Sequence, residues 1–148
     1  MDRLLHSNFS RSASLFLLRI AIAGLIFWWG LVKGLGTPTG AAVSEKYYGG
    51  AFTIDALLIV FGWFQVVLAV LVVIGSFRRF TLPILFVINA FVAFAVWQSI
   101  ADPFWLWLGS GEKPETVNAL FYPSLIVVAG CWVLMAFRKD DRWAFGPH

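Results

Sequence analysis

Four long apolar stretches limit most strongly what this chain can fold into. They cover residues 14–34, 55–76, 80–101 and 117–137, and a helix needs about 20 such residues to cross the hydrocarbon core of a bilayer. Backbone polar groups in lipid must bond within the protein, which selects helices here, because the alternating pattern of a membrane β-strand is absent. We therefore predict an all-α integral membrane four-helix bundle that forms a single domain, residues 1–148.

The amino-acid composition agrees with a lipid environment. Hydrophobic residues make up 60% of the chain and charged residues 13%, whereas soluble domains have about 45–50% and about 25%. The first stretch is longer than the apolar region of a signal peptide, and no clear cleavage site follows it. We therefore interpret it as a retained membrane span.

The distribution of positive charge predicts the orientation of the bundle. Cytoplasmic loops of membrane proteins carry an excess of Lys and Arg. Basic residues precede the first stretch, fill the link between the second and third, and follow the fourth: Arg3, Arg11, Arg78, Arg79, Arg138, Lys139 and Arg142. With an even number of spans, all of them lie on one side. We predict a multi-pass protein of a bacterial-type cytoplasmic (inner) membrane, with both termini in the cytoplasm.

Several classes of function find no support in the sequence. The net charge is +3, but the basic residues flank apolar segments and form no stripe, so no nucleic-acid partner is expected. Two distant histidines and the single cysteine, Cys131, do not form a ligand cluster, so no metal site is predicted. No nucleotide-binding motif and no Ser-His-Asp arrangement appears.

Polar residues inside the spans are the candidate ligand-binding positions, because they usually face the bundle interior or reach an interface. Arg19 and Lys33 share one mostly small face of the first span; the alternative is that each side chain extends to the headgroups. Gln65 and Asn89 lie near mid-membrane and are predicted to point inward, either for interhelical hydrogen bonds or for ligand contact. The full candidate set is Arg19, Trp28, Trp29, Lys33, Asp55, Gln65, Asn89 and Tyr122.

Two further expectations concern the outer end of the first span. Lys33 ends this span and Asp55 begins the next, so adjacent antiparallel helices would bring the two side chains into an ion pair or a shared polar pocket. Gly30 and Gly34 form a GxxxG pattern, which permits close approach of two helices and would allow a homo-oligomer.

The first span reads RIAIAGLIFWWGLVK and resembles the opening signature of the DoxX family of small membrane proteins. In that signature an Arg is followed by Gly, an aromatic residue, Gly and Lys, here Arg19, Gly24, Phe27, Gly30 and Lys33. The second span, QVVLAVLVVIGSFRR, is similar to the family's second helix through Gly75 and Arg78, but Gln65 stands where the family usually has Glu. The closing segment DRWAFG also resembles the family's, so the resemblance covers nearly the whole chain.

The resemblance implies a four-helix bundle, and some members of the family are subunits of quinone-linked thiosulfate oxidation. Others are linked to oxidative-stress or catechol resistance. Our leading hypothesis is an accessory or quinone-interacting subunit of a membrane redox system, with Lys33, Trp28, Trp29 and Tyr122 facing the quinone head group. No motif for another cofactor is evident, no catalytic residue can be named, and a proton-relay role does not carry over to the amide of Gln65.

Two other hypotheses stay open. A structural or assembly subunit of a membrane complex, without a site of its own, is favoured by the scarcity of titratable residues at mid-membrane. A small-molecule transporter is favoured least, because Asp55 is the only acidic residue associated with a span and it lies at the edge. The expected partners are the lipid bilayer and other membrane or redox subunits.

Overall fold

A computed structural model describes residues 7–38, 42, 45, 55–102, 107 and 122–145. These residues are helical apart from short connections, as the all-α prediction requires. The helices are α1 (Asn8–Gly34), α2 (Asp55–Ile74), α3 (Arg78–Ala95), the short α4 (Trp97–Ala101) and α5 (Tyr122–Ala136).

Three of the helices are long and apolar enough to cross a membrane: Asn8–Gly34, Ala56–Ile74 and Arg78–Ala95. The described part of α5 is apolar over Pro123–Ala136 but shorter, and residues 117–121 of the predicted fourth span lie outside the described residues. The coarse prediction of membrane-spanning helices is therefore supported, whereas the inner membrane and the cytoplasmic termini stay predictions.

The helix bounds differ from the predicted spans most clearly at two places. The first helix begins at Asn8 rather than at residue 14, because the Ser7 side chain caps it by accepting a hydrogen bond from the Ser10 N–H at 3.1 Å. The third stretch, residues 80–101, is not one continuous helix. It breaks at Val96, whose backbone leaves helical geometry (φ −109°, ψ 21°), and continues as α4.

The four longer helices pack around one core. α1 lies mainly against α2 and α3 mainly against α5, and further contacts join α1 to α5 and α2 to α3. Each helix contributes apolar side chains to a single buried cluster, which includes Ile22, Ala69, Leu85, Val127 and Leu134. Large apolar side chains on the outside are exposed on all four helices, among them Leu17, Val67, Phe91 and Ile126. Exposed apolar surface of this extent is typical of a surface that contacts lipid.

Glycines set the close crossing of α1 and α2. A Cβ atom added at Gly62 would lie 2.7 Å from both the Gly30 carbonyl oxygen and the Gly34 Cα, so no larger residue fits without moving a helix. The GxxxG pair therefore packs against α2 of the same chain rather than offering a surface to a second copy. The expectation of a homo-oligomer loses this basis.

Candidate functional site

Two polar clusters involve α1, one near its middle and one at its C-terminal end. The first, which we call the arginine cluster, consists of Arg19, Arg78 and Asp141. Arg19 Nη1 donates to Asp141 Oδ2 at 2.8 Å, and Arg78 Nη1 approaches the same oxygen at 3.3 Å. All three residues are buried, and Arg19 is 0% exposed. The alternative in which Arg19 extends to the headgroups is therefore wrong: its charge is neutralised inside the protein.

The arginine cluster holds residues 138–145, which we call the tail, against the helices. Arg19 Nη2 donates to the Trp143 carbonyl at 3.0 Å, and Arg78 Nη1 lies 3.2 Å from the carbonyl oxygens of Arg138 and Asp141. Two further hydrogen bonds attach the tail to the helices. The Ser12 hydroxyl donates to the Asp140 carbonyl at 2.8 Å, and the Phe145 N–H donates to the Ile74 carbonyl at 2.9 Å.

Gly75 makes room for this arrangement at the end of α2. Its φ of +77° lies in the left-handed region that favours glycine. A Cβ atom there would contact Arg19 Nη1 and would lie 2.5 Å from the Ala144 Cβ. The Trp143 ring of the tail packs against α1, with its centroid 5.3 Å from that of Phe9 and 5.5 Å from that of Phe16. Gly75, Arg78 and the closing segment were separate features in the sequence, and the structure brings them together.

Sequence reasoning missed Asp141 as a site residue. The available signal was physical: a buried Arg in a helix requires a carboxylate or carbonyl oxygens nearby. The DRWAFG segment supplies both, but pairing it with Arg19 spans 122 positions along the chain.

The second cluster, which we call the lysine site, consists of Lys33, Gln65 and Phe61. Lys33 Nζ donates to Gln65 Oε1 at 2.9 Å and lies 5.0 Å from the centroid of the Phe61 ring. Gln65 is buried, so its predicted inward orientation and interhelical hydrogen bond are both confirmed. The close glycine crossing of α1 and α2 lies at the same level and brings the two side chains within reach.

The other candidate residues are not brought to the lysine site. Asn89 is buried, as predicted, but its Nδ2 donates to the Leu85 carbonyl of its own helix at 2.9 Å rather than to a neighbouring helix. The expectation that Trp28 faces an interior ligand is wrong, because its side chain is 68% exposed on the outer surface of α1. Trp29 is half-buried.

The predicted pair of Lys33 with Asp55 stays a prediction. The side chains of Asp55 and Tyr122 lie outside the described residues, and the partner that the structure gives Lys33 is Gln65. Asp55 begins α2 ten positions before Gln65, a rise of about 15 Å along the helix. A direct pair with Asp55 would therefore require Lys33 to leave Gln65.

The lysine site offers hydrogen-bond donors in an apolar setting. An ammonium group carries three donors, and Gln65 Oε1 accepts one of them. The remaining N–H groups of Lys33 can donate to a carbonyl or anionic oxygen of a ligand. Among the described residues, no group of three His, Cys, Asp or Glu side chains could hold a metal ion, and Cys131 is buried in the core.

Comparisons with models of protein families, with curated proteins and with solved structures found no match to this chain. The DoxX resemblance accordingly stays an expectation that rests on the quoted motifs.

Proposed function

We propose that this chain is a DoxX-like integral membrane protein of the inner membrane that serves as an accessory or quinone-interacting subunit of a redox system. The observation that supports the proposal is the lysine site. Lys33 Nζ lies between helices α1 and α2 with only a neutral amide oxygen and an aromatic ring as described partners. The arginine cluster, by contrast, has a carboxylate partner.

The chemistry of a quinone head group suits this donor. A quinone carbonyl accepts hydrogen bonds, and its oxygen becomes more negative on reduction, so a nearby ammonium group would favour the reduced forms. Gln65 would hold the Lys33 side chain in place, and the glycine crossing keeps both helices close to it. The exposed apolar surface of α2, which includes Val60 and Val67, would accommodate an isoprenoid tail in lipid.

Quinone retention tests the proposal. The full chain is purified in mild detergent, and extracted quinone is quantified per chain for the wild type, Lys33→Met and Lys139→Met. Lys139 is exposed near the other end of the molecule, so Lys139→Met makes the same chemical change as Lys33→Met without affecting the lysine site. We expect Lys33→Met to reduce retention by about tenfold, the effect of losing one charge-assisted hydrogen bond, and Lys139→Met to retain quinone like the wild type.

Two outcomes would contradict the quinone proposal. One is a wild-type chain that carries no quinone and binds none when a soluble short-tail quinone is added. The other is equal loss of quinone in both variants, which would mean that charge in general, rather than the lysine site, controls retention.

A structural or assembly subunit is the second candidate, and the arginine cluster favours it. Arg19, Arg78 and Asp141 are the buried charged residues apart from Asp102 in the described part of the chain, and they bind one another and the tail. Contacts of this kind between the helices and the tail are those expected of a structural role. Native mass spectrometry that finds the chain in a larger complex, with no bound small molecule, would support this function over the first.

A further inference from the structure

A cleft at the tail end of the bundle contains two opposite charges that do not pair with each other. It has a volume of about 270 Å³ and is lined by Arg11, Ser14 and Leu15 of α1 together with Phe137 and Asp140. Within the described residues, the ion pairs are those of Arg19 and Arg78 with Asp141. The cleft is therefore lined by one basic and one acidic residue, Arg11 and Asp140, that form no ion pair with each other.

We propose that this cleft binds the headgroup of phosphatidylethanolamine. Its phosphate carries one negative charge and its primary ammonium one positive charge, separated by a short linker. The Arg11 guanidinium suits the phosphate, because Arg forms paired hydrogen bonds with phosphate oxygens. The Asp140 carboxylate suits the ammonium, and the Ser14 hydroxyl adds a neutral donor. A volume of about 270 Å³ leaves room for a headgroup of this size.

The position of the cleft along α1 matches the headgroup level of a membrane. α1 has 27 residues, a length of about 40 Å at 1.5 Å per residue, whereas the hydrocarbon core is about 30 Å thick. An untilted helix of this length extends about 10 Å beyond the core, and the polar residues Arg11, Ser12 and Ser14 favour its N-terminal end for that extension. Aromatic side chains are exposed at this same end, namely Phe9, Phe137, Trp143 and Phe145. The apolar lining residues Leu15 and Phe137 would let the glycerol and first acyl carbons continue toward lipid.

The carboxylate gives the cleft its selectivity. Basic pockets at the cytoplasmic side of membrane helices usually bind anionic lipids, but Asp140 would repel a headgroup that carries a net negative charge. A choline headgroup has no N–H to donate to the carboxylate. The tail fixes Asp140 in place, because the Ser12 hydroxyl binds its carbonyl and the neighbouring Asp141 binds Arg19.

Lipid titration of the delipidated full chain in detergent tests the proposal. Native mass spectrometry would compare phosphatidylethanolamine, phosphatidylglycerol and phosphatidylcholine with identical acyl chains. We expect phosphatidylethanolamine to bind about tenfold more tightly than the other two, the effect of one additional charge-assisted contact. Arg11→Gln should weaken binding of all three lipids. Asp140→Asn should remove the preference for phosphatidylethanolamine and strengthen binding of phosphatidylglycerol.

Arg142→Gln serves as the matched control, because Arg142 is an exposed tail residue that does not line the cleft. Three results would overturn the proposal: a wild-type chain without preference among the three lipids, an Arg11→Gln variant that behaves like Arg142→Gln, or an Asp140→Asn variant with an unchanged preference. The comparison of the three lipids on the wild-type chain tests the proposal even if a variant fails to fold. It is also independent of the quinone proposal, because the lysine site lies near the other end of α1.

Discussion

Helix α1 holds two cations inside the protein, Arg19 near its middle and Lys33 at its C-terminal end, and the protein surrounds them differently. Arg19 is 0% exposed, shares a carboxylate with a second arginine and binds a backbone carbonyl of the tail. Lys33 is partly buried, and its described partners are the neutral amide of Gln65 and the face of the Phe61 ring. One cation is thus paired with an opposite charge, whereas the other is held by polar contacts alone.

This difference separates a structural role from a ligand-binding role. A buried charge is tolerated when an opposite charge and further hydrogen bonds offset its lost hydration. The planar donors of an arginine suit several fixed acceptors at once, and the arginine cluster has them in Asp141 and the tail carbonyls. Lys33 keeps donors beyond the one that Gln65 accepts, and it is only partly buried. In the arginine cluster Arg19 Nε and Asp141 Oδ1 also lack a hydrogen bond within the described part of the chain, but both atoms are fully buried. A ligand therefore has access to the remaining donors of the lysine site and not to the atoms of the arginine cluster.

Removing the shared carboxylate should have the largest effect. Asp141→Asn would leave Arg19 and Arg78 buried near one another without a counter-charge, and breaking a buried pair in this way costs about 3–5 kcal/mol. We expect a loss of that size in the free energy of unfolding, measured by denaturant titration in detergent. Glu45→Gln, which changes an exposed carboxylate to an amide, should leave the free energy unchanged. Wild-type stability of Asp141→Asn would contradict the structural role of the cluster.

Two glycines with left-handed backbones allow the effect of the tail contact at Gly75 to be separated from the cost of backbone strain. Gly75→Ala and Gly36→Ala both place an alanine at positive φ, at a cost of about 1–2 kcal/mol each. At Gly36 the new Cβ would lie an ordinary 3.7 Å from Ile59, whereas at Gly75 it would collide with Arg19 and Ala144. We therefore expect Gly75→Ala to lower the free energy of unfolding by about 1–3 kcal/mol more than Gly36→Ala does. Equal losses would show that the tail does not press on Gly75 in solution.

The apolar pattern predicted the helices and the inward face of α1. The 3.6-residue period placed Arg19 and Lys33 on one face, and Arg19 is buried and Lys33 partly buried. Lengths and composition were enough for these predictions because each depends on local sequence. The break at Val96 was not predicted, since the apolar pattern continues through it without a proline or glycine.

The partners of the two cations could not be predicted in the same way. Arg19 and Asp141 are 122 positions apart, and their contact depends on how the tail folds back over α1 and Gly75. Lys33 was expected to meet Asp55 because both were placed near the same membrane boundary. The described partner is Gln65, because the glycine crossing brings the end of α1 against the middle of α2. Crossing depth is a tertiary property that span boundaries do not determine.

Replacing Arg19 and Lys33 in turn by methionine tests the comparison between the two cations most directly. We expect the smaller change in the free energy of unfolding at Lys33. Arg19→Met would leave the Trp143 carbonyl without its donor and Asp141 with Arg78 alone, so we expect a loss of about 3 kcal/mol in the free energy of unfolding. Lys33→Met removes the donor to Gln65 Oε1, at about 1–3 kcal/mol, but it also removes a charge that has lost part of its hydration. These two effects oppose each other, and we expect a net change of about 1 kcal/mol or less.

Quinone retention, measured on the same preparations, should fall for Lys33→Met although its stability is nearly preserved. If Lys33→Met instead loses as much stability as Arg19→Met, then both cations stabilise the fold, and the lysine site no longer supports a ligand-binding role.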